Sequence, residues 1–190
     1  MQTLGLSDST PRTESRGRAL FWPTIRNDGD FDYVTRQGFW VCFLIGGVTL
    51  VVSIFSGASA MAYFESIFFF LAAFGIRERS RAAAISAFSA YLLDLIVLEA
   101  YTGTGLGVLR VVSLALLFAN IRGSWLSSRW TEAPETPLDS FRMNQTIIDK
   151  LVDQLPTFLW PKIKYVFYIY TAVMIALLLF LLLRAPVFAR

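Results

Sequence analysis

Apolar and polar residues alternate in long blocks along this chain, and the apolar blocks define its architecture. Five predominantly apolar runs occupy residues 38–56, 60–76, 82–100, 106–121 and 165–183. Each run is close to the roughly 20 residues that an α-helix needs to cross about 30 Å of hydrocarbon. The pattern predicts an all-α protein, a polytopic transmembrane helical bundle with about five spans.

The connections between the first four runs are short and rich in turn-forming or charged residues. Gly57 follows the first run, the charged segment 77–81 follows the second, and Gly103 follows the third. Short connections place consecutive helices side by side. We therefore expect residues 37–121 to form a four-helix transmembrane bundle. The fifth run adds a C-terminal transmembrane helix and a short tail over residues 164–190.

Two polar segments flank this bundle. Residues 1–36 are rich in Ser, Thr, Pro, Arg and Asp, and we predict a polar, partly disordered cytoplasmic tail. Residues 122–163 are predicted to form a cytoplasmic loop with an amphipathic helix, because apolar side chains recur there at helical spacing until Pro156. The apolar positions are Ile147, Ile148, Leu151, Val152 and Leu155. Such a helix suits the membrane surface, and packing against the protein's own cytoplasmic face fits the pattern equally well.

Composition favours a lipid environment. Of the 190 residues, 55% are hydrophobic and 16% are charged, which is more apolar than a typical soluble domain. The net charge of +3 does not indicate nucleic acid, because basic residues in membrane proteins mark cytoplasmic loops near anionic headgroups. The expected partners are the lipid bilayer, anionic lipid headgroups at the cytoplasmic face, and a protein partner or a second copy of this chain in a homo-oligomer.

The positions of lysine and arginine predict how the chain crosses the membrane. Basic residues lie in segments 77–81 and 122–163, whereas the turns after the first and third runs have none. The positive-inside rule then places the N-terminus and both segments in the cytoplasm. Five crossings put the C-terminus outside; if the fifth run did not cross fully, the C-terminus would be cytoplasmic. We expect a plasma membrane location, in the inner (cytoplasmic) membrane of a bacterium.

The chain has no histidine and a single cysteine, Cys42, and this excludes several kinds of chemistry. His-ligated haem, His-based zinc sites and Ser-His or Cys-His nucleophilic pairs within the chain all need an imidazole. A single cysteine cannot form an internal disulfide. We therefore predict no catalytic residues, no metal site and no cofactor, and we expect that the protein is not an enzyme.

Three of the apolar runs carry a charged residue at a similar depth, namely Glu65, Asp94 and Arg110, and Glu99 lies near the end of the third run. In the predicted orientation Glu65, Asp94 and Arg110 each lie roughly 7–9 Å below the outer end of their run, at about 1.5 Å per residue. An isolated charge at mid-bilayer costs about 2.5–3.5 kcal/mol on insertion scales, so such residues usually turn inward and pair. We predict an intramembrane charge cluster with Arg110 between the two carboxylates, and we place Glu99 and Tyr101 at its outer mouth.

The cluster allows two functional interpretations. As a set of ionic contacts it fixes the rotation of three helices, and the protein is then a non-catalytic accessory, assembly or scaffold subunit. As a proton, cation or substrate site it serves a small proton- or cation-coupled transporter or ion conduit, because two carboxylates leave one negative charge in excess of the arginine. The sequence favours the first function and leaves the second open as the alternative.

Overall fold

The structure is a computed structural model that describes residues 21–22, 28–57, 60–103, 105, 107–127 and 159–185. Within these ranges the chain is helical, with five long α-helices and no strand. They are α1 (Asp28–Ser56), α2 (Ala60–Arg77), α3 (Arg81–Thr102), α4 (Val108–Ser127) and α5 (Leu159–Leu183). All five are long and apolar enough to cross a membrane, which confirms the predicted all-α class and the number of candidate spans.

Two predicted features fall partly or wholly outside the described ranges. The amphipathic helix around residues 147–155 and the first 20 residues of the N-terminal tail lie outside them. The part of that tail from Asp28 onward is helical and belongs to α1. Phe31 and Val34 in this stretch are buried and pack against Leu126 of α4. Hydropathy places the start of the first span later, at residue 38, because acidic neighbours dilute these two apolar positions.

Short turns connect consecutive helices, and some of them use left-handed backbone. Gly57 (φ 62°) follows α1, and Gly103 (φ 60°) ends α3. Between α2 and α3, Arg79 adopts a φ of 57°. The next residue, Ser80, caps α3 by accepting a 3.3 Å hydrogen bond from the amide of Ala83. These turns reverse the chain within a few residues, so consecutive helices run antiparallel.

Helices α1 to α4 form a closed ring. Within this ring, α1 packs on α2 and α4, and α3 packs on the same two helices. Helix α5 lies on the outer side of the ring, against α2 and α3. The arrangement is a four-helix core with one further helix attached to it.

Aromatic contacts fix the level at which α5 lies along α2. The ring of Tyr170 stacks on Phe64 with 3.9 Å between centroids. The Tyr170 hydroxyl also donates a 2.8 Å hydrogen bond to the carbonyl oxygen of Phe64. Nearer the start of α5, the indole ring of Trp160 lies against Gly75, close to the end of α2. The two helices are therefore antiparallel.

The two ends of the bundle differ in chemistry. The basic end consists of the α2–α3 turn, with Arg77, Arg79 and Arg81, together with the start of α1, the end of α4 and the start of α5. The opposite end holds the turns at Gly57 and Gly103 and the last turn of α5. Every functional residue considered below is placed relative to these two ends.

Candidate functional site

The three charged residues predicted to lie within the membrane are on consecutive helices, in the half of the bundle towards the opposite end. Glu65 lies in the second turn of α2, Asp94 about two turns before the end of α3, and Arg110 in the first turn of α4. All three side chains are half-buried. Because the three helices run antiparallel, these positions come to similar levels in the bundle.

Asp94 holds the central position of this charge cluster. Its carboxylate interacts electrostatically with Glu65 on α2 and with the guanidinium of Arg110 on α4. The sequence-based expectation placed Arg110 between the two carboxylates. The structure differs because α3, which carries Asp94, is the helix that packs on both α2 and α4. Across the bundle, the charged residues therefore follow the order Glu65, Asp94, Arg110.

The two interactions of Asp94 have opposite signs. Arg110 attracts its carboxylate, whereas Glu65 repels it when both carboxyl groups are charged. Arg110 is thus the side chain that compensates negative charge within the cluster. Removing it would leave two adjacent carboxyl groups at lipid depth, where an uncompensated charge is costly.

Two hydroxyl groups extend the cluster towards the middle of the bundle. The hydroxyl groups of Tyr91 on α3 and Ser113 on α4 lie near each other, and Tyr91 interacts electrostatically with all three charges. The Tyr91 ring is buried and packs edge-on against Phe69, with 6.0 Å between centroids. Sequence analysis missed both residues because neither is charged. Their spacing was the available signal, since Tyr91 lies three residues before Asp94 and Ser113 three residues after Arg110.

The two residues predicted at the outer mouth, Glu99 and Tyr101, lie at the opposite end and are exposed. A carboxylate oxygen of Glu99 accepts a 2.9 Å hydrogen bond from the amide of Gly105. The hydroxyl of Tyr101 donates a 3.0 Å hydrogen bond to the carbonyl oxygen of Leu181 on α5. Glu99 thus closes the α3–α4 turn, and Tyr101 attaches α5 to α3. Their place at an entrance to the cluster stays a prediction.

The groups brought together here determine what the cluster can do chemically. Carboxyl groups take up and release protons and bind cations, whereas a guanidinium keeps its charge. Among the residues that the structure describes, no group of three or more His, Cys, Asp or Glu side chains is placed to hold a metal ion. The arrangement suits two tasks: holding α3 and α4 in one rotational setting through Asp94 and Arg110, or exchanging a proton or cation at the two carboxyl groups.

Comparison with known proteins finds no relative of this chain. No protein-family model matches the chain, and neither a curated protein nor a solved structure matches it significantly.

Proposed function

We propose that this protein is a multi-pass integral membrane protein without catalytic activity, which acts as an accessory, assembly or scaffold subunit. One observation carries the proposal. Arg110 on α4 attracts Asp94 on α3, so the opposite charges of these two helices are engaged with each other, and Glu65 on α2 lies beside them. Interactions of this kind fix helix rotation and pairing in a membrane and need no substrate. The partner of such a subunit is another membrane protein or a second copy of this chain.

The apolar outer surface of the bundle supports the proposal that lipid surrounds the helices. Large apolar side chains are exposed on all five helices, and the most exposed include Phe55 (86%), Leu109 (82%) and Leu183 (78%). Contact of such surfaces with water is unfavourable by about 25 cal/mol per Å² of apolar area. Soluble monomers rarely expose large contiguous apolar patches. A bilayer around the helices removes this cost.

The distribution of charge supports one orientation in the membrane. Three arginines lie in the α2–α3 turn at the basic end, and Trp40, Trp125 and Trp160 lie towards the same end. Basic residues favour the cytoplasmic side, and tryptophan favours the membrane interface. We therefore place the basic end in the cytoplasm and the protein in a bacterial inner membrane, with the N-terminus inside and the C-terminus outside.

The proposed structural role is tested by removing the base of the charge cluster. Arg110→Gln leaves Glu65 and Asp94 side by side, and we expect a severalfold lower yield of folded protein in detergent. The double variant Arg110→Gln/Asp94→Asn removes the attracting pair together and should recover much of that yield. Glu78→Gln changes a carboxyl group at the basic end, outside the apolar runs, and serves as the matched control with wild-type yield.

Size-exclusion chromatography of detergent extracts measures the folded fraction. A normal yield for Arg110→Gln, combined with the selective loss of an ion-dependent activity, would refute the structural role.

A small proton- or cation-coupled transporter or ion conduit is the second candidate. It is favoured by the excess of carboxyl groups over guanidinium in the cluster and by the hydroxyl groups of Tyr91 and Ser113 beside it. Purified protein in liposomes would then dissipate an imposed proton or cation gradient, as followed with a pH-sensitive dye. The flux should disappear in Asp94→Asn and persist in Glu78→Gln. Absence of flux under proton, sodium and potassium gradients would eliminate this candidate.

A further inference from the structure

We propose that the junction of α2, α3 and α5 at the basic end binds the headgroup of an anionic phospholipid. The inference rests on the proposed membrane location and assigns a ligand class to a surface remote from the charge cluster. We call this surface the basic junction. It is formed by Arg77, Arg79, Arg81, Lys162 and Lys164.

The three helices meet here because Trp160 of α5 fits over a position without a side chain. A Cβ atom added to Gly75 would lie 2.7 Å from Cζ2 of the indole ring, and it would also collide with Ala83 of α3. Trp160 is itself buried, and its ring packs on Phe167 with 5.3 Å between centroids. This contact fixes the start of α5 beside the end of α2 and the start of α3.

The same contact brings basic residues of three helices to one place. Arg77 lies two residues after Gly75, and Arg81 lies two residues before Ala83. Lys162 and Lys164 follow Trp160 within the first two turns of α5. The backbone segments that carry the arginines of the α2–α3 turn and the lysines of α5 therefore lie next to each other.

The two segments that carry the basic junction contain more basic than acidic residues. Segments 77–81 and 160–164 contain five basic residues and one acidic residue, Glu78. Arg79, Arg81 and Lys162 are exposed, and Arg77 and Lys164 are half-buried. A surface of this sign at the cytoplasmic boundary attracts the anionic lipids of the inner leaflet.

Aromatic contacts hold two of these cations in place before any lipid binds. The guanidinium of Arg79 lies over the ring of Phe31 at 5.2 Å and so extends from the α2–α3 turn towards α1, and the ammonium of Lys164 lies over the ring of Tyr165 at 5.1 Å. A guanidinium presents a planar fork of N–H donors that matches two phosphate oxygens. A lysine near the end of a membrane helix can extend the apolar part of its side chain along the helix surface, so that its ammonium group reaches the level of the lipid headgroups. Cations held at this level are therefore better placed to bind the phosphate of a lipid than to bind a ligand that is free in solution.

The test uses the full-length protein in a nonionic detergent, titrated with phosphatidylglycerol and, separately, with phosphatidylcholine. Native mass spectrometry counts bound lipid. We expect saturable binding of phosphatidylglycerol, and about a fivefold loss of affinity for each charge removed. The variants are Arg79→Asn, because asparagine tolerates positive φ, and Arg81→Gln at an exposed position. Arg81→Lys keeps the charge and should retain most of the binding.

Arg184→Gln is the matched control, because it removes a charge from an exposed arginine at the opposite end. It should leave phosphatidylglycerol binding unchanged. An equal loss in this control, or equal binding of phosphatidylcholine, would overturn the proposal. Competition by millimolar inorganic phosphate would overturn it too, because the ligand would then be a soluble anion. Failure of the protein to incorporate into neutral phosphatidylcholine nanodiscs would instead contradict the membrane location itself.

Discussion

The side chain of Asn120 on α4 lies directly against Gly38 on α1, while its amide donates a 3.0 Å hydrogen bond to the carbonyl oxygen of Val34 one turn earlier. A Cβ atom at position 38 would lie 2.6 Å from Cγ of Asn120 and 3.1 Å from Cγ2 of Ile76. The glycine thus allows two helices to approach closely enough for a polar side chain to bond across them. This contact closes the ring of α1 to α4 near the basic end.

The first prediction concerns this close approach. Gly38→Ala should lower the stability of the bundle by about 1–3 kcal/mol, because the added methyl group forces the helices apart or displaces Asn120. Thermal unfolding in detergent measures the change. Gly47→Ala is the matched control on the same helix, since nothing lies within 4 Å of an added Cβ atom there. That variant should be neutral or slightly stabilised, and equal losses in both variants would refute the interpretation.

The second prediction separates the two contacts that Tyr170 makes with Phe64. Tyr170→Phe keeps the ring stack and removes the hydroxyl that bonds to the Phe64 carbonyl oxygen. Hydrogen bonds between membrane helices contribute about 0.6 kcal/mol on average, so we expect a small decrease in unfolding temperature. Tyr170→Ala also removes the ring and should cost several times more. Tyr168→Phe, at an exposed ring on the same helix, should change nothing; a loss as large as that of Tyr170→Phe would argue against the hydrogen bond.

The third prediction follows from the order of charges in the cluster. Because Glu65 faces the like charge of Asp94, Glu65→Gln should leave stability unchanged or raise it. Arg110→Gln should lower stability, because it removes the attraction that Asp94 receives. Thermal unfolding of the two variants side by side shows whether each substitution raises or lowers stability. Destabilisation by both variants to the same degree would place Arg110, rather than Asp94, at the centre.

The fourth prediction tests the orientation. In a Cys42→Ala background, Glu78→Cys places a thiol at the basic end and Thr102→Cys places one at the opposite end. A membrane-impermeant maleimide applied to intact cells should label only Thr102→Cys, because in the proposed orientation the basic end faces the cytoplasm. Permeabilised cells should show labelling at both positions. The wild-type chain is the control, since Cys42 is fully buried. Labelling of Glu78→Cys alone in intact cells would reverse the assignment.

Much of the helical architecture follows from the hydropathy pattern. The five runs correspond to α1 to α5, and the turn at Gly103 falls where the sequence places it. The boundaries are less well predicted, because packing extends some helices beyond their apolar runs. Phe31 and Val34 are buried against α4 in a stretch whose average hydropathy is low, so only the folded structure shows that α1 begins before them.

The rotation of each helix could not be read from the sequence. A helix that is apolar all round has no stripe that distinguishes its inner from its outer face. The charges were therefore recognised as a group, but the central place of Asp94 depends on α3 lying between α2 and α4. The contact of Trp160 with Gly75 was invisible for the same reason.

The position of α5 outside the ring has a consequence for biogenesis. The contacts that close the ring join α1 to α4, and residues 28–127 are synthesised before α5 begins at Leu159. Four helices can therefore associate before α5 has emerged from the ribosome. The groove beside Gly75 is then still empty, and packing of the Trp160 indole into it completes the association of the five helices. A nascent chain arrested before α5 would already hold the charge cluster, with that groove still accessible to lipid or to a helix from another protein.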